Sequence, residues 1–284
     1  MIRKRLTVIE PARLVHLLST SSCEVALPSE APRLAAQVSY EPLWPRFLFA
    51  APSMRLYRPL GELWPYSQLL LAEPGSGRLL GWLDTAPVFT DGGADGLPGI
   101  ARGLPGGGRG LPGGWDDLMR RAVEGLRAGH APDTLAMMSL SLLPAARGIG
   151  LGAAAIALAR ALASLLELRA VLAPVRPTLK AACPQVPMGE YMRRVRTDGL
   201  PADPWLRAHV RAGGRVAGVA TASTVMEAPL EDWAAWGASL PPAGDGTIEG
   251  ALSPLELLPD GRTARYTEPN VWVIHSAERF PAHP

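Results

Sequence analysis

Arg147-Gly148-Ile149-Gly150-Leu151-Gly152 is the stretch of this 284-residue sequence whose residue types and spacing most directly imply chemistry. Alternate glycines leave backbone N–H groups uncovered, and the apolar run that follows reads as a helix, so the turn opens onto a helix N-terminus. Aligned peptide dipoles add partial positive charge there, and Arg147 adds a formal one. Pyrophosphate is the natural guest of such a cradle. Gly148 to Ala153 also fits GxGxxG/A, the dinucleotide fingerprint. Against that reading, Pro144-Ala145-Ala146-Arg147 separates the preceding strand from the glycines. The acidic residue expected at the end of the next strand to meet a ribose is missing, for that strand ends in Arg176, which an NADP site could tolerate. The bland alternative is that the glycines merely let helix and strand pack closely.

The turn has to be carried by a strand, a helix and a second strand. Thr134–Leu143 is an uncharged run suited to a central strand covered on both faces, and Pro144 ends it. Ala153–Leu168 has helix-forming composition, with Ile156, Leu158, Leu162, Leu165 and Leu166 as its apolar positions. Ala170–Val175 follows as the next strand, completing a βαβ unit. Upstream, Gln68–Ala72 and Arg78–Val88 read as a hairpin across Pro74-Gly75-Ser76-Gly77. Trp115–Ala128 reads as an amphipathic helix with Asp116 and Asp117 in its first turn, where the helix dipole favours acid. Ala31–Tyr40 reads as a short helix before a proline-broken aromatic loop at 41–47. A strand near Leu6–Ile9 and a helix near Ala12–Leu18 are expected at the start. Gly-Leu-Pro-Gly recurs from Gly96, Gly103 and Gly110, which marks 91–114 as a mobile insertion.

Composition sets the outer bounds. Twenty-eight basic residues against 26 acidic ones give no global field of the kind that marks a nucleic-acid binder, so a small, local anionic ligand is expected. Lysine occurs only at Lys4 and Lys180, and the abundance of Arg, Ala, Gly and Pro reads as codon bias of a GC-rich genome. Cys23 and Cys183 have no ligand spacing around them, so reduced thiols, no metal and a cytoplasmic location are the expectation. The longest apolar run, Ala153 to Leu168, is interrupted by Arg160, Ser164 and Glu167, which argues against a membrane span. Glu10, Pro11 and Arg13 break the apolar stretch that a secretory signal needs.

Pro144-Ala145-Ala146-Arg147-Gly148-Ile149-Gly150-Leu151-Gly152 resembles the signature of the GNAT (Gcn5-related N-acetyltransferase) superfamily. There a proline ends the fourth strand and (Arg/Gln)-x-x-Gly-x-(Gly/Ala) wraps the CoA pyrophosphate. The wider chain is similar to a group of GNAT-like proteins associated with actinobacteria. That resemblance rests on Ala131-Pro132-Asp133-Thr134-Leu135, Ala173-Pro174-Val175-Arg176-Pro177-Thr178, Asp198-Gly199-Leu200-Pro201, Asp203-Pro204-Trp205-Leu206-Arg207, His209 and Glu268-Pro269-Asn270-Val271-Trp272.

The resemblance implies an α/β fold with a mixed sheet splayed between Thr134–Leu143 and Ala170–Val175, flanked by helices, with insertions and a C-terminal β extension. It implies an N-terminal extension at 1–30, a core at 31–228 and a C-terminal extension at 229–284. It also implies acetyl-CoA or another acyl-CoA as donor, held by Leu142, Leu143, Arg147, Gly148, Ile149, Gly150, Leu151, Gly152 and Ala153. Backbone amides at the Ser139–Leu143 end would hold the thioester carbonyl. A proton donor is commonly a tyrosine four residues before a glycine that opens the next strand, and counting back from Gly213 gives His209, a departure from the pattern. Glu41, Trp44, Tyr191 and Glu268 are the expected acceptor-binding residues. No general base stands out, Glu41, Glu190, Tyr191, Glu268 and His275 all being open. The insertion at 177–203 carries Lys180, Arg193, Arg194 and Arg196, available for the 3′-phosphate of CoA or an acidic acceptor. The implied activity is acyl transfer to a small-molecule or peptide amine. Rival readings are a protein of the same fold that takes its acyl group from a carrier protein or acts on a natural-product intermediate of secondary metabolism, a non-catalytic acyl-CoA binder, and an NADP-binding oxidoreductase. Neither nucleic acid nor membrane is an expected partner.

Overall fold

The computed structural model describes residues 23–90, 113–240 and 246–277. The elements expected before Cys23 and nearly all of the 91–114 insertion lie outside these residues. The strands are β1 (Glu24–Ala26), β2 (Gln68–Ala72), β3 (Leu79–Val88), β4 (Thr134–Leu142), β5 (Ala170–Val175), β6 (Arg215–Pro229), β7 (Leu255–Leu257) and β8 (Thr263–Ser276). The helices are α1 (Pro32–Ala35), α2 (Tyr57–Leu63), α3 (Trp115–Ala128), α4 (Leu151–Leu165), α5 (Met188–Tyr191), α6 (Pro204–Arg211) and α7 (Leu230–Ala235). Where a helix was expected over Ala31–Tyr40, only the single turn of α1 forms.

The strands build one sheet in the order β1-β2-β3-β4-β5-β8-β6, with β7 on the far end of β8. All pairs are antiparallel except β4 with β5. The C-terminal segment expected as an extension from 229 supplies β8, which sits between β5 and β6 rather than outside them. The parallel pair is short: Thr134, Leu135 and Ala136 pair with Ala170, Val171 and Leu172. Beyond these the two strands part, β4 staying on β3 as far as Leu142 and β5 staying on β8 as far as Val175. On β4 the register against β3 jumps at Met138, since Asp84 pairs with Ser139 and Thr85 with Met137. That bulge bends the strand where the gap opens.

The main core packs α3 and α4 against the sheet through Leu118, Met119, Ala122, Val123, Ile156, Ala159 and Leu162, all buried. A second core gathers Phe47, Met226, Trp233 and Tyr266 beneath the long β6–β8 ribbon. Lys180 is fully buried and its Nζ donates to the carbonyls of Cys183 (3.0 Å), Pro184 (3.1 Å) and Leu252 (2.5 Å). It pins the 177–203 segment to the C-terminal segment instead of offering its charge to a ligand. Arg194 lies over the Tyr191 ring at 5.5 Å, and Arg196 meets Asp198 at 3.4 Å.

Gly81 allows β3 to approach β4, because a Cβ there would lie 2.3 Å from the Ser141 carbonyl oxygen. Gly81→Ala is expected to cost about 2–4 kcal/mol in urea unfolding, as overpacking against a backbone atom does. Gly189→Ala, whose Cβ would meet nothing within 4 Å, should be neutral or better. Equal effects would show that the β3–β4 contact does not limit stability.

Candidate active site

The gap between β4 and β5 is the floor of a cleft of about 980 Å³. Met137–Leu142 and Ala173–Arg176 line it, together with the glycine turn and with Thr224, Glu268 and Asn270. An apolar wall of Leu43, Trp44, Pro45, Leu48, Met54 and Trp115 closes it. Trp44 is fixed there by its indole N–H, which donates to Ser141 Oγ at 3.0 Å.

The turn's glycines divide their work. Gly148 (φ +80°) and Gly150 (φ +92°) take left-handed backbone, and a Cβ at either would meet nothing within 4 Å. Gly150 precedes the first residue of α4, so the helix's uncapped first amides face this end of the cleft. Gly152 serves packing instead, for a Cβ there would come 3.1 Å from the Trp205 ring. Leu142, Arg147, Gly148, Gly150, Leu151, Gly152 and Ala153 line the cleft. Leu143 packs instead in the small cluster around Trp82, and Ile149 is 64% exposed at the tip of the turn.

His209 also lines the cleft, on α6, beside Trp205 at a ring-centroid distance of 4.3 Å. Only 1% of it is exposed, and its Nδ1 lies 2.9 Å from Nε2 of His275 on β8. Its Nε2 is buried without a protein partner. Burial, with His275 adding to it, pushes the His209 pKa down to about 3, while burial and nearby Arg160 push His275 down to about 4. Both imidazoles are therefore neutral near pH 7. Gly214 makes room for the pair, since a Cβ on it would sit 2.6 Å from His275 Cε1.

Of the other residues expected at the acceptor end, Trp44 and Glu268 line the cleft, whereas Glu41 is exposed outside it. Tyr191 is buried within the 177–203 segment, its hydroxyl donating to Asp203 at 2.9 Å, and Glu190 pairs with Arg194 at 3.7 Å. Glu268 is not a free carboxylate: Arg176 Nε donates to both its oxygens at 3.2 Å, Tyr266 Oη donates at 2.8 Å and Asn270 Nδ2 at 3.3 Å.

Sequence reasoning passed over Asp84. Its signal was a lone charge inside the apolar strand Leu79–Val88. Asp84 is buried and accepts from Tyr40 Oη (2.9 Å), Gln68 Nε2 (3.2 Å) and the Ser139 hydroxyl, and Ser139 opens onto the cleft. Burial raises its pKa to about 6 against the opposing pull of these donors. An unfolded aspartate titrates near ~3.9, so the folded protein holds the proton more tightly. The stability this proton contributes is complete below about pH 4 and is lost as pH rises through 6. Asp84→Asn keeps an acceptor for Tyr40 and Gln68, and the Ser139 hydroxyl can turn to accept from the new amide. The variant should match the wild type at pH 4 and exceed it by about 2–3 kcal/mol at pH 8 in urea unfolding. A pH-independent difference would mean that Asp84 is not strained by its charge.

No family model matches the sequence. The arginine N-acetyltransferase avaD of Aspergillus versicolor is 34% identical over 182 residues, which is 57% of this chain and 63% of that protein. The loading GNATL domain of CurA from Lyngbya majuscula aligns with 15% identity over 86% of this chain and 97% of its own, with a TM-score of 0.49. The GphF GNAT-like decarboxylase, solved with isobutyryl-CoA, aligns with 19% identity over 90% and 99%, with a TM-score of 0.47. The chain thus has a proline-terminated strand leading into the Arg147–Gly152 turn and a sheet parted beside it, and it is similar to an N-acetyltransferase of which it spans less than two thirds.

Proposed function

We propose that this protein transfers a short acyl group from a CoA thioester to an amine. The observation that carries the reading is the continuity of the cleft, from the glycine turn through the strand gap to Thr224, Glu268 and Asn270. The turn fits a pyrophosphate: left-handed glycines keep Cβ atoms out of the way, α4 presents its N-terminus, and Arg147 lines the entrance. The edge of β4 that faces the gap beyond Ala136 has no partner strand, so its backbone can meet the arm and carbonyl of the thioester. Acyl-CoA supplies the activated acyl group, and the chain's residues align it with the amine and handle protons.

The thiolate that leaves needs a hydrogen-bond donor, and His209 Nε2 is the buried, unpartnered ring nitrogen of a cleft residue. For Nε2 to carry the hydrogen, Nδ1 must accept, which requires His275 Nε2 to donate. His209 thus serves as a neutral donor, not as the imidazolium that an unperturbed histidine would offer. The amine's proton also has a destination, because Ser139 opens onto the cleft and is bonded to Asp84, whose raised pKa suits it to receive a proton near neutrality. The relative's name suggests arginine as one acceptor to try.

Gly150→Val should weaken acetyl-CoA binding at least ten-fold by calorimetry while circular dichroism stays native, because a β-branched residue resists φ +92° and would cover the amides. Undiminished affinity would remove the pyrophosphate from this turn. His209→Ala should lower kcat about 10²-fold, the low end for proton donation, with acetyl-CoA affinity nearly kept. Because His209 is already neutral at pH 6, the wild-type rate between pH 6 and 8 should show no inflection that this variant abolishes. Full turnover by the variant would leave thiolate release to water.

A further inference from the structure

Beside Glu268 the cleft contains one cation whose hydrogen bonds are only partly used. Arg176 follows directly on β5 and lines the cleft. Its Nε is held by both oxygens of Glu268, and one Nη donates to the Gly250 carbonyl. Tyr266 is a further hydrogen-bond neighbour of the guanidinium, which still leaves part of its five N–H donors unspent, and about a third of the side chain is exposed. Its polar neighbours are saturated. Glu268 accepts from Arg176, Tyr266 and Asn270. Asn270 gives both amide hydrogens, to Glu268 and the Pro269 carbonyl, and accepts from Ser223. The Thr224 hydroxyl is spent on Asp116 at 3.1 Å.

A guanidinium anchored by a buried carboxylate and a carbonyl, with its remaining N–H donors part-exposed to a cleft, is preorganised for an anionic group. We infer that Arg176 forms a carboxylate-binding subsite, so that one of the two reactants meeting in the cleft carries a carboxylate. This rests on the acyl-transfer reading, under which an acceptor and an acyl donor share the cleft. The carboxylate belongs either to an amino-acid acceptor or to the acyl chain of the donor. In both cases Glu268 positions the guanidinium and touches neither reactant. The other arginines lining the cleft do not compete for the role: Arg147 lies at the glycine turn, Arg207 is committed to the carbonyls of Pro201 and Ala202 at 2.8 Å, and Arg211 faces Asp198 at 4.0 Å.

Two matched pairs separate the sources. L-Arginine and agmatine differ by a carboxylate on the acceptor, and succinyl-CoA and butyryl-CoA by one on the acyl group. Calorimetric binding of all four to the full chain is expected to favour the carboxylate-bearing member of one pair by about ten- to a hundred-fold, the range for hydrogen bonds to a charged group. Arg176→Lys, which keeps a positive charge beside Glu268 but lacks the fork, should reduce that preference. Arg176→Gln alone would strand a buried carboxylate, so Arg176→Gln is paired with Glu268→Gln, and in this double variant the preference should vanish. No discrimination in either pair, or discrimination that survives in the double variant, overturns the subsite. Since binding is read without turnover, a preserved preference in a protein that transfers nothing would refute the transferase reading and leave the subsite standing.

Discussion

The parting of β4 from β5 after three paired residues is the constraint on which the rest of the site depends. A central parallel pair would ordinarily be the most thoroughly hydrogen-bonded part of a mixed sheet. Here each strand is secured on its outer side, β4 by eight partners on β3 and β5 by six on β8, so the sheet holds together while its middle opens. Backbone groups facing that gap have no strand to satisfy them, and buried polar backbone demands a partner. The bulge at Met138 starts the divergence. The turn at Arg147 lies at the end of the same strand, so the cleft and its anion-binding end follow from one departure from regular pairing.

Around this gap the chain buries several polar groups, and their state depends on whether each has a partner. Lys180 gives its ammonium to three carbonyls and becomes a structural staple. Glu268 is saturated by donors and acts as an anchor for Arg176. Asp84, held by the neutral donors Tyr40, Gln68 and Ser139, keeps a raised pKa. His209 and His275 face each other in a buried site, where desolvation, helped by the neighbouring imidazole for His209 and by Arg160 for His275, favours neutral rings. Buried charges with good partners are fixed in place, and those without become responsive to protonation.

Trp205 ties the two halves of the site together. It packs on Gly152 in the first turn of α4 and edge-on to His209 one turn along α6. Asp203 caps that helix by accepting from the amides of Trp205 and Leu206, and its second oxygen takes the Tyr191 hydroxyl. The segment before α6, which supplies Tyr191 and Asp203, thus orients the helix that carries His209.

By itself the sequence determined the elements whose causes are local: the hairpin at 68–88, α3, both central strands within a residue, and the glycine turn between them. Periodicity, proline and glycine act within a few residues, so they are legible in order along the chain. The start of α4 was misplaced by two residues, since Leu151 and Gly152 are helical despite the glycine. Only the tertiary structure decided what depends on residues far apart. It put β8 between β5 and β6, set His275 against His209 across 66 positions, and joined Arg176 to Glu268 across 92. Whether Lys180, Glu268 or Asp84 is a ligand, an anchor or a proton acceptor follows from desolvation and from partners brought by folding, and neither is written in a residue's type or its local spacing.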